Sequence, residues 1–277
     1  MARSRSSFQV CFFFIVFLLC FYGSEAQADV NNPEVQQLLE ARTQVLLDTN
    51  QVAKRIGRTS VFNLQREVLV RGFCNRPLCF ALDGSASIPA ADFEFQRGLI
   101  SLLASFAAID TESEFSAVQY GLATTGISLP TSNITLFLQR VSLSRQVNAS
   151  RTFISAGLAS CLRQVRRGNE TSGIIVVLGD GRANFATDSL DQVLQEVDDE
   201  LVVSVGVGTF LNPNLLKKLS RWVPERVFLF DSYSDINAKA VSALLSRICW
   251  FKPLVNDSTS YAQHEPETKG PRLHAAI

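Results

Sequence analysis

Three short stretches of this chain, far apart in sequence, carry hard oxygen donors: Asp83-Gly84-Ser85-Ala86-Ser87, Thr152, and Gly179-Asp180-Gly181. Asp83, Ser85, Ser87, Thr152 and Asp180 together supply two carboxylates and three hydroxyls, the donor type that Mg²⁺ prefers. The alternate spacing of Asp83, Ser85 and Ser87 lets all three turn toward one point where a strand end curls into a helix start, and Gly84 relieves the steric limits of that turn. If the three stretches converge, the chain engages a ligand through a divalent cation, Mg²⁺ or Mn²⁺, and does no covalent chemistry. Each stretch alone has a plainer reading: Ser87 and Thr152 as helix N-caps, Asp180-Gly181 as a turn.

Catalytic alternatives find little support. The two histidines, His264 and His274, both stand in a polar tail, away from any serine or cysteine they could activate. Gly206-Val207-Gly208 lacks the spacing of a phosphate-binding loop and falls at a late strand. The 26 basic residues balance the 26 acidic ones, which argues against nucleic acid or an anionic membrane as the main partner. The expectation is a protein-binding module and not an enzyme.

The elements that must position these residues are visible as a change of period. From Cys74 onward, short apolar runs alternate with amphipathic stretches. Strands are expected at 78–82, 115–120, 123–129, 173–178, 201–207 and 227–230, with 115–129 forming a hairpin. Helices are expected at 89–109, 132–141, 152–166, 189–199, 212–222 and 235–248. Strands apolar on both faces and separated by helices imply a doubly wound, mostly parallel α/β sheet flanked by helices. In such sheets ligands bind outside the carboxyl ends of the strands at the switch point. Asp83 and Asp180 both fall at such ends.

Around this core the chain divides further. Arg3 and Arg5, the 13-residue apolar run Val10–Tyr22 and small residues at Ser24, Ala26 and Ala28 have the order of a secretory signal over 1–28, cleaved after Ala26 or Ala28. The run falls short of the roughly 20 residues that span a bilayer, and no other stretch could cross one, so a secreted, extracellular protein without a membrane span is expected. Residues 29–72 read as a helical lead-in. Val35, Leu38, Leu39, Val45, Leu46, Val52 and Ile56 keep helical spacing up to a stop at Gly57, while 60–72 show no clear period. The 251–277 tail is polar, carries three prolines and is expected to be disordered. Four cysteines, Cys74, Cys79, Cys161 and Cys249, remain after signal removal and allow three complete pairings. N-glycosylation sequons stand at Asn133, Asn148, Asn169 and Asn256; Asn148 lies close enough to Thr152 for a glycan to narrow or mask the ligand face.

The stretch 73–250 resembles a von Willebrand factor type A (VWA) domain, the I-domain fold of integrins. Phe80 to Ile88 is similar to its first strand and metal loop, Ser116 to Tyr120 to its second strand, Arg151 to Leu158 to the threonine loop and its helix, and Ile174 to Gly181 to the fourth strand with its aspartate. Val203 to Thr209 and Val227 to Asp231 resemble the last two strands. The resemblance implies a Rossmann-like fold and a metal-ion-dependent adhesion site. Asp83, Ser85 and Ser87 would form its first loop, Thr152 its second and Asp180 its third. In this family an acidic side chain of the partner completes the coordination, so the implied partner is an extracellular or matrix protein with an exposed Asp or Glu. The family usually has Thr or Ser where this chain has Gly179, a departure that leaves the ligands intact and alters the local loop.

The resemblance also implies a Cys74–Cys249 disulfide bracketing the domain, leaving Cys79 and Cys161 as buried thiols or as a second bridge. The last helix of integrin-type domains slides when ligand binds; a bridge at Cys249 would tether it and limit switching. The alternative within the same fold is a structural extracellular matrix protein that assembles without a metal.

Overall fold

The computed structural model describes residues 29–71, 76–109, 113–167, 173–182, 187–197 and 201–249. The expected signal segment, the 251–277 tail, Cys74, Asn169 and Asn256 lie outside these residues. No helix among them is long and apolar enough to cross a membrane.

Six strands form one sheet: β1 (Leu78–Asp83), β2 (Phe115–Tyr120), β3 (Thr124–Thr131), β4 (Ile174–Gly179), β5 (Leu201–Val207) and β6 (Val227–Phe230). Their spatial order is β3-β2-β1-β4-β5-β6. Only β3 runs antiparallel, as the outer half of a hairpin with β2. The order reverses at β1, which pairs in parallel with β2 on one side and β4 on the other, setting Asp83 opposite Tyr120 and Leu82 opposite Leu178. The switch point therefore lies between the ends of β1 and β4.

Alternate side chains of each strand enter two separate cores. Phe80, Leu82, Ala117, Val176, Leu178, Val203 and Val205 belong to one; Cys79, Ala81, Val118, Tyr120, Ile175, Val177 and Val202 belong to the other. This is the period-2 geometry of a strand buried on both faces, and every residue of β1, β2 and β4 is buried. Helices α6 (Ile154–Val165), α7 (Thr187–Glu196) and α8 (Pro213–Leu219) cover the second core. The first is covered by α4 (Ala90–Ala107), α5 (Ile134–Leu143) and α9 (Ala238–Ile248).

The lead-in adds a further layer on α4. It comprises α1 (Pro33–Thr49), α2 (Gln51–Ile56) and α3 (Arg58–Arg71), so the segment left without a period from residue 60 is helical. Asn50 breaks α1 from α2. Its backbone is extended, its Oδ1 accepts from Val52 N and Ala53 N, and its Nδ2 donates to Gly98 O at 2.8 Å. Gly57, at φ 85°, ends α2. Val52 and Ala53 are fully buried, with a Val52 methyl close to where a Cβ on Gly98 would stand; burying a valine side chain contributes about 1.5–3 kcal/mol. Arg42 donates to Ser105 O, Arg55 to Tyr233 O, and Ser242 of α9 to Glu67 of α3.

Several expected boundaries shift. Helix α6 starts at Ile154 and not at Thr152, and α8 stops at Leu219 because Arg221 and Trp222 take left-handed backbone conformations (φ 53° and 60°) that end a helix. A short 3-10 turn, Tyr233–Asp235, precedes α9.

Candidate metal centre

Asp83 closes β1 with 0% exposure. Its Oδ1 accepts from Ser85 N at 2.9 Å, whereas its buried Oδ2 has no hydrogen-bond partner. The Ser85 and Ser87 hydroxyls stand 2.9 Å apart, and Ser87 donates to Asp180 Oδ2 at 3.2 Å. Asp180 follows the end of β4, with Oδ1 held by Arg182 N at 2.8 Å. The first and third stretches thus meet at the switch point through the side-chain oxygens of Ser85, Ser87 and Asp180, with Asp83 joined to Ser85 through the backbone N–H. Burial drives the Asp83 carboxyl up to about 7, the Ser85 hydroxyl and N–H pull it down, and nearby Asp180 adds to the rise.

The backbone on either side of Thr152 is tied to the first loop and to the end of β2 by backbone and amide contacts. Ala149 bridges to Ser85: Ala86 N donates to Ala149 O at 2.7 Å, and Ala149 N to Gly84 O at 3.3 Å. Phe153 N donates to Gly121 O at 2.9 Å. Thr152, between these anchors, is 3% exposed. Two glutamines complete the stapling. Gln119 of β2, 1% exposed, donates to Arg145 O at 2.9 Å and accepts from Val147 N at 2.6 Å. Gln146 donates to Ser85 O and Ile88 O at 2.8 and 2.7 Å. Gly84 is required where Gln119 crosses it, since a Cβ there would lie 2.0 Å from Gln119 Oε1.

The plain readings of two of the donors do not hold. The N-cap of α4 is Pro89 and that of α6 is Phe153, neither with a side-chain cap bond, so Ser87 and Thr152 are not capping residues. Asp180-Gly181 does form a turn, with Gly181 at φ 70°, and its carboxylate faces Ser87. Sequence reasoning did not anticipate Gln119 and Gln146; a polar residue inside the otherwise apolar, buried run of β2 was the available signal.

The remaining candidates fall as follows. Cys79 and Cys161 form a disulfide between β1 and α6 with Cα atoms 5.5 Å apart, which decides between the two alternatives left by the sequence. Cys249 is also disulfide-bonded; its expected partner Cys74 lies outside the described residues. Asn133 caps α5, accepting from Leu136 N at 3.0 Å, and Asn148 is exposed at φ 50°.

The profile of the von Willebrand factor type A domain matches residues 78–240. The chain belongs to this family. Adhesion and protein binding are the usual work of VWA domains, and catalysis is not typical of them. Among solved structures, proximal thread matrix protein 1 from the mussel byssus is similar to this VWA chain at 16% identity and a TM-score of 0.53, covering 64% of this chain and 48% of that one. A von Willebrand factor type A protein from Catenulispora acidiphila is similar at 12% identity and a TM-score of 0.52, covering 63% and 42%. An aerotolerance-related membrane protein from Bacteroides fragilis is similar at 15% and 0.51, covering 62% of this chain and all of the other. The VWA chain thus spans about half the length of the mussel protein, and these likenesses speak to the fold. Comparison with curated proteins finds no match.

Hydroxyls and two carboxylates are of the type that would suit a hard cation, and the unpartnered Asp83 Oδ2 is an oxygen that a cation would satisfy. Among the described residues no group of three or more His, Cys, Asp or Glu side chains comes together.

Proposed function

We propose that this protein is a secreted adhesion module that engages an extracellular partner through Mg²⁺ or Mn²⁺ held by Asp83, Ser85, Ser87, Thr152 and Asp180. The observation that carries this reading is the buried, unpartnered Oδ2 of Asp83 at the switch point, on a loop whose Ser85 and Ser87 hydroxyls lead by hydrogen bonds to Asp180 Oδ2. Isolated buried carboxylates are unfavourable, and a cation is the partner this donor set fits. When bound, the ion supplies a positive point that accepts a carboxylate from outside. Asp83 and Asp180 supply only two negative charges, so a site rich in neutral hydroxyls leaves that point electron-poor. The Ser85–Ala149 bridge and the two glutamines hold the loops in place before ligand arrives, which lowers the ordering cost of binding.

The partner under this reading is an extracellular or matrix protein with an exposed Asp or Glu. The signal-like N-terminus and the sequons at Asn133 and Asn148 are consistent with export and glycosylation. The test is binding of the full chain to immobilised matrix proteins in Mg²⁺ and then in EDTA, alongside calorimetry with Mg²⁺ and Mn²⁺. Binding lost to chelator, and equally lost in folded Asp83→Ala and Asp180→Ala variants, is expected. Binding indifferent to both treatments, or no heat with either ion, overturns the reading.

A further inference from the structure

The rim around the candidate metal centre carries a cation and apolar side chains that the metal reading does not use. Arg182 follows Asp180 by two residues, and its backbone N–H holds the Asp180 carboxylate. Its exposed guanidinium lies 5.0 Å from the centre of the Phe210 ring, and its Nε donates to Phe210 O at 2.6 Å. Phe210 is itself 73% exposed. Its loop is anchored to the same site, since Asn212 N donates to Asp180 O at 3.0 Å. Among the described residues no carboxylate pairs with Arg182. On the other flank stand Leu122 and Val147, 58% and 40% exposed. The turn bearing Leu122 rests on the second loop, because a Cβ on Gly121 would lie 2.5 Å from Ala149 Cβ and 3.3 Å from a Val147 methyl.

We propose that this rim docks a partner segment carrying two carboxylates, one directed to the Asp83–Asp180 centre and the second to Arg182, with apolar side chains seated on Phe210 and on Leu122 and Val147. The inference rests on the metal reading and names the chemistry of its partner. Charge complementarity selects the occupant: a divalent cation and an arginine side by side favour a doubly acidic segment over a singly acidic one. The stack on Phe210 orients the guanidinium in advance, so little freedom is lost when a carboxylate arrives. Arg182 stands two residues beyond Asp180, so the second acid belongs a few residues along the same segment, where each extended residue spans about 3.3 Å.

The experiment uses the full chain and short synthetic peptides on beads. One peptide carries a single Glu between Leu and Phe; three others add a second Glu two, three or four residues away. In Mg²⁺, at least one diacid peptide is expected to bind on the order of tenfold more tightly than the monoacid, the scale of one charge-assisted pair. Arg182→Gln is expected to reduce that peptide to the monoacid level while leaving monoacid binding and the heat of Mg²⁺ binding unchanged. Normal Mg²⁺ heat with no advantage for any diacid peptide, with an unaltered advantage in Arg182→Gln, or with no peptide bound at all overturns this inference alone. Absence of heat with both Mg²⁺ and Mn²⁺ marks failure of the metal reading, and this inference falls with it.

Discussion

The Tyr120 hydroxyl occupies the space into which a side chain on Gly179 would grow: a Cβ there would lie 2.5 Å from Tyr120 Oη and 2.9 Å from both Asp83 Cβ and Oδ2. That hydroxyl donates to Leu178 O at 2.9 Å inside a fully buried pocket. Glycine at 179, where the resemblance implies Thr or Ser, is thus matched to a tyrosine that ends β2, across β1 from β4. Restoring the family's residue type by Gly179→Ser should destabilise the chain by about 1–3 kcal/mol through overpacking and weaken Mn²⁺ binding by displacing Asp83. Tyr120→Phe should make Gly179→Ala better tolerated than it is alone, since it removes the 2.5 Å contact. Urea denaturation of Gly179→Ser, Gly179→Ala, Tyr120→Phe and the Tyr120→Phe/Gly179→Ala double variant measures this, and a Gly179→Ser chain as stable as the parent would refute it.

Asp83 makes the metal-free chain sensitive to pH. Its folded value of about 7 lies above the ordinary value near 4 in an unfolded chain, so the folded state holds the proton more tightly. The contribution of Asp83 to stability therefore falls as pH rises from about 4 to about 7 and is constant outside that window, with a total loss on the order of a few kcal/mol. Asp83→Asn should remove this dependence and stabilise the metal-free fold at neutral pH while abolishing Mg²⁺ binding. In the parent, a cation favours the ionised carboxylate, so Mg²⁺ affinity should increase up to about pH 7. Unfolding at pH 5 and pH 7.5, with EDTA and with Mg²⁺, reads both effects; equal stability at the two pH values in EDTA would contradict them.

The Cys79–Cys161 bridge closes a loop across 82 positions. A loop of that length corresponds to about 4–5 kcal/mol by chain entropy. Replacing both cysteines with alanine should lower the thermal midpoint accordingly, by an amount visible in calorimetry. Both side chains are fully buried, so mild reductant applied to the folded protein should leave the midpoint where it was. A double variant with the parent midpoint would show that the bridge does not stabilise the fold.

A glycan on Asn148 would stand beside Val147 and one residue from Ala149, which bridges to Ser85. Replacing Asn148 itself would confound the test, because its φ of 50° suits asparagine better than most side chains. Ser150→Ala removes the sequon and keeps the asparagine. Secreted from glycosylating cells, this variant should bind acidic ligand more tightly than the parent, and the two should match after enzymatic deglycosylation. Equal binding from the start would remove Asn148 as a mask.

Most of the sheet was legible because burial on both faces leaves uninterrupted apolar runs, as in Ile174–Leu178. That Asp83, Ser85, Ser87 and Asp180 would gather at one strand-end site was legible from their alternate spacing and their place at the ends of apolar runs. Helix α3 was not, because its inner face mixes Val61, Leu64 and Val68 with Gln65, a fully buried residue that donates to Thr43 at 2.7 Å. A buried polar pair breaks the apolar stripe on which periodicity depends. The glutamine staples escaped notice for a related reason. Gln119 and Gln146 act through backbone groups of other segments, and backbone geometry leaves no residue-type signature. The early stop of α8 depends on two left-handed residues, Arg221 and Trp222, whose identities do not announce that conformation.

The layer that α1 to α3 lay on α4 sets the smallest stretch of this polypeptide that can be handled alone. A fragment trimmed to the family outline, Leu78 to Ala240, would cut α9 after its first turn and strip away Val52, which packs at Gly98, together with Leu46, Val61, Leu64 and Val68 of the core that α4 shares. Such a piece should self-associate in solution, whereas one beginning at Pro33 and running through Cys249 retains its own cover.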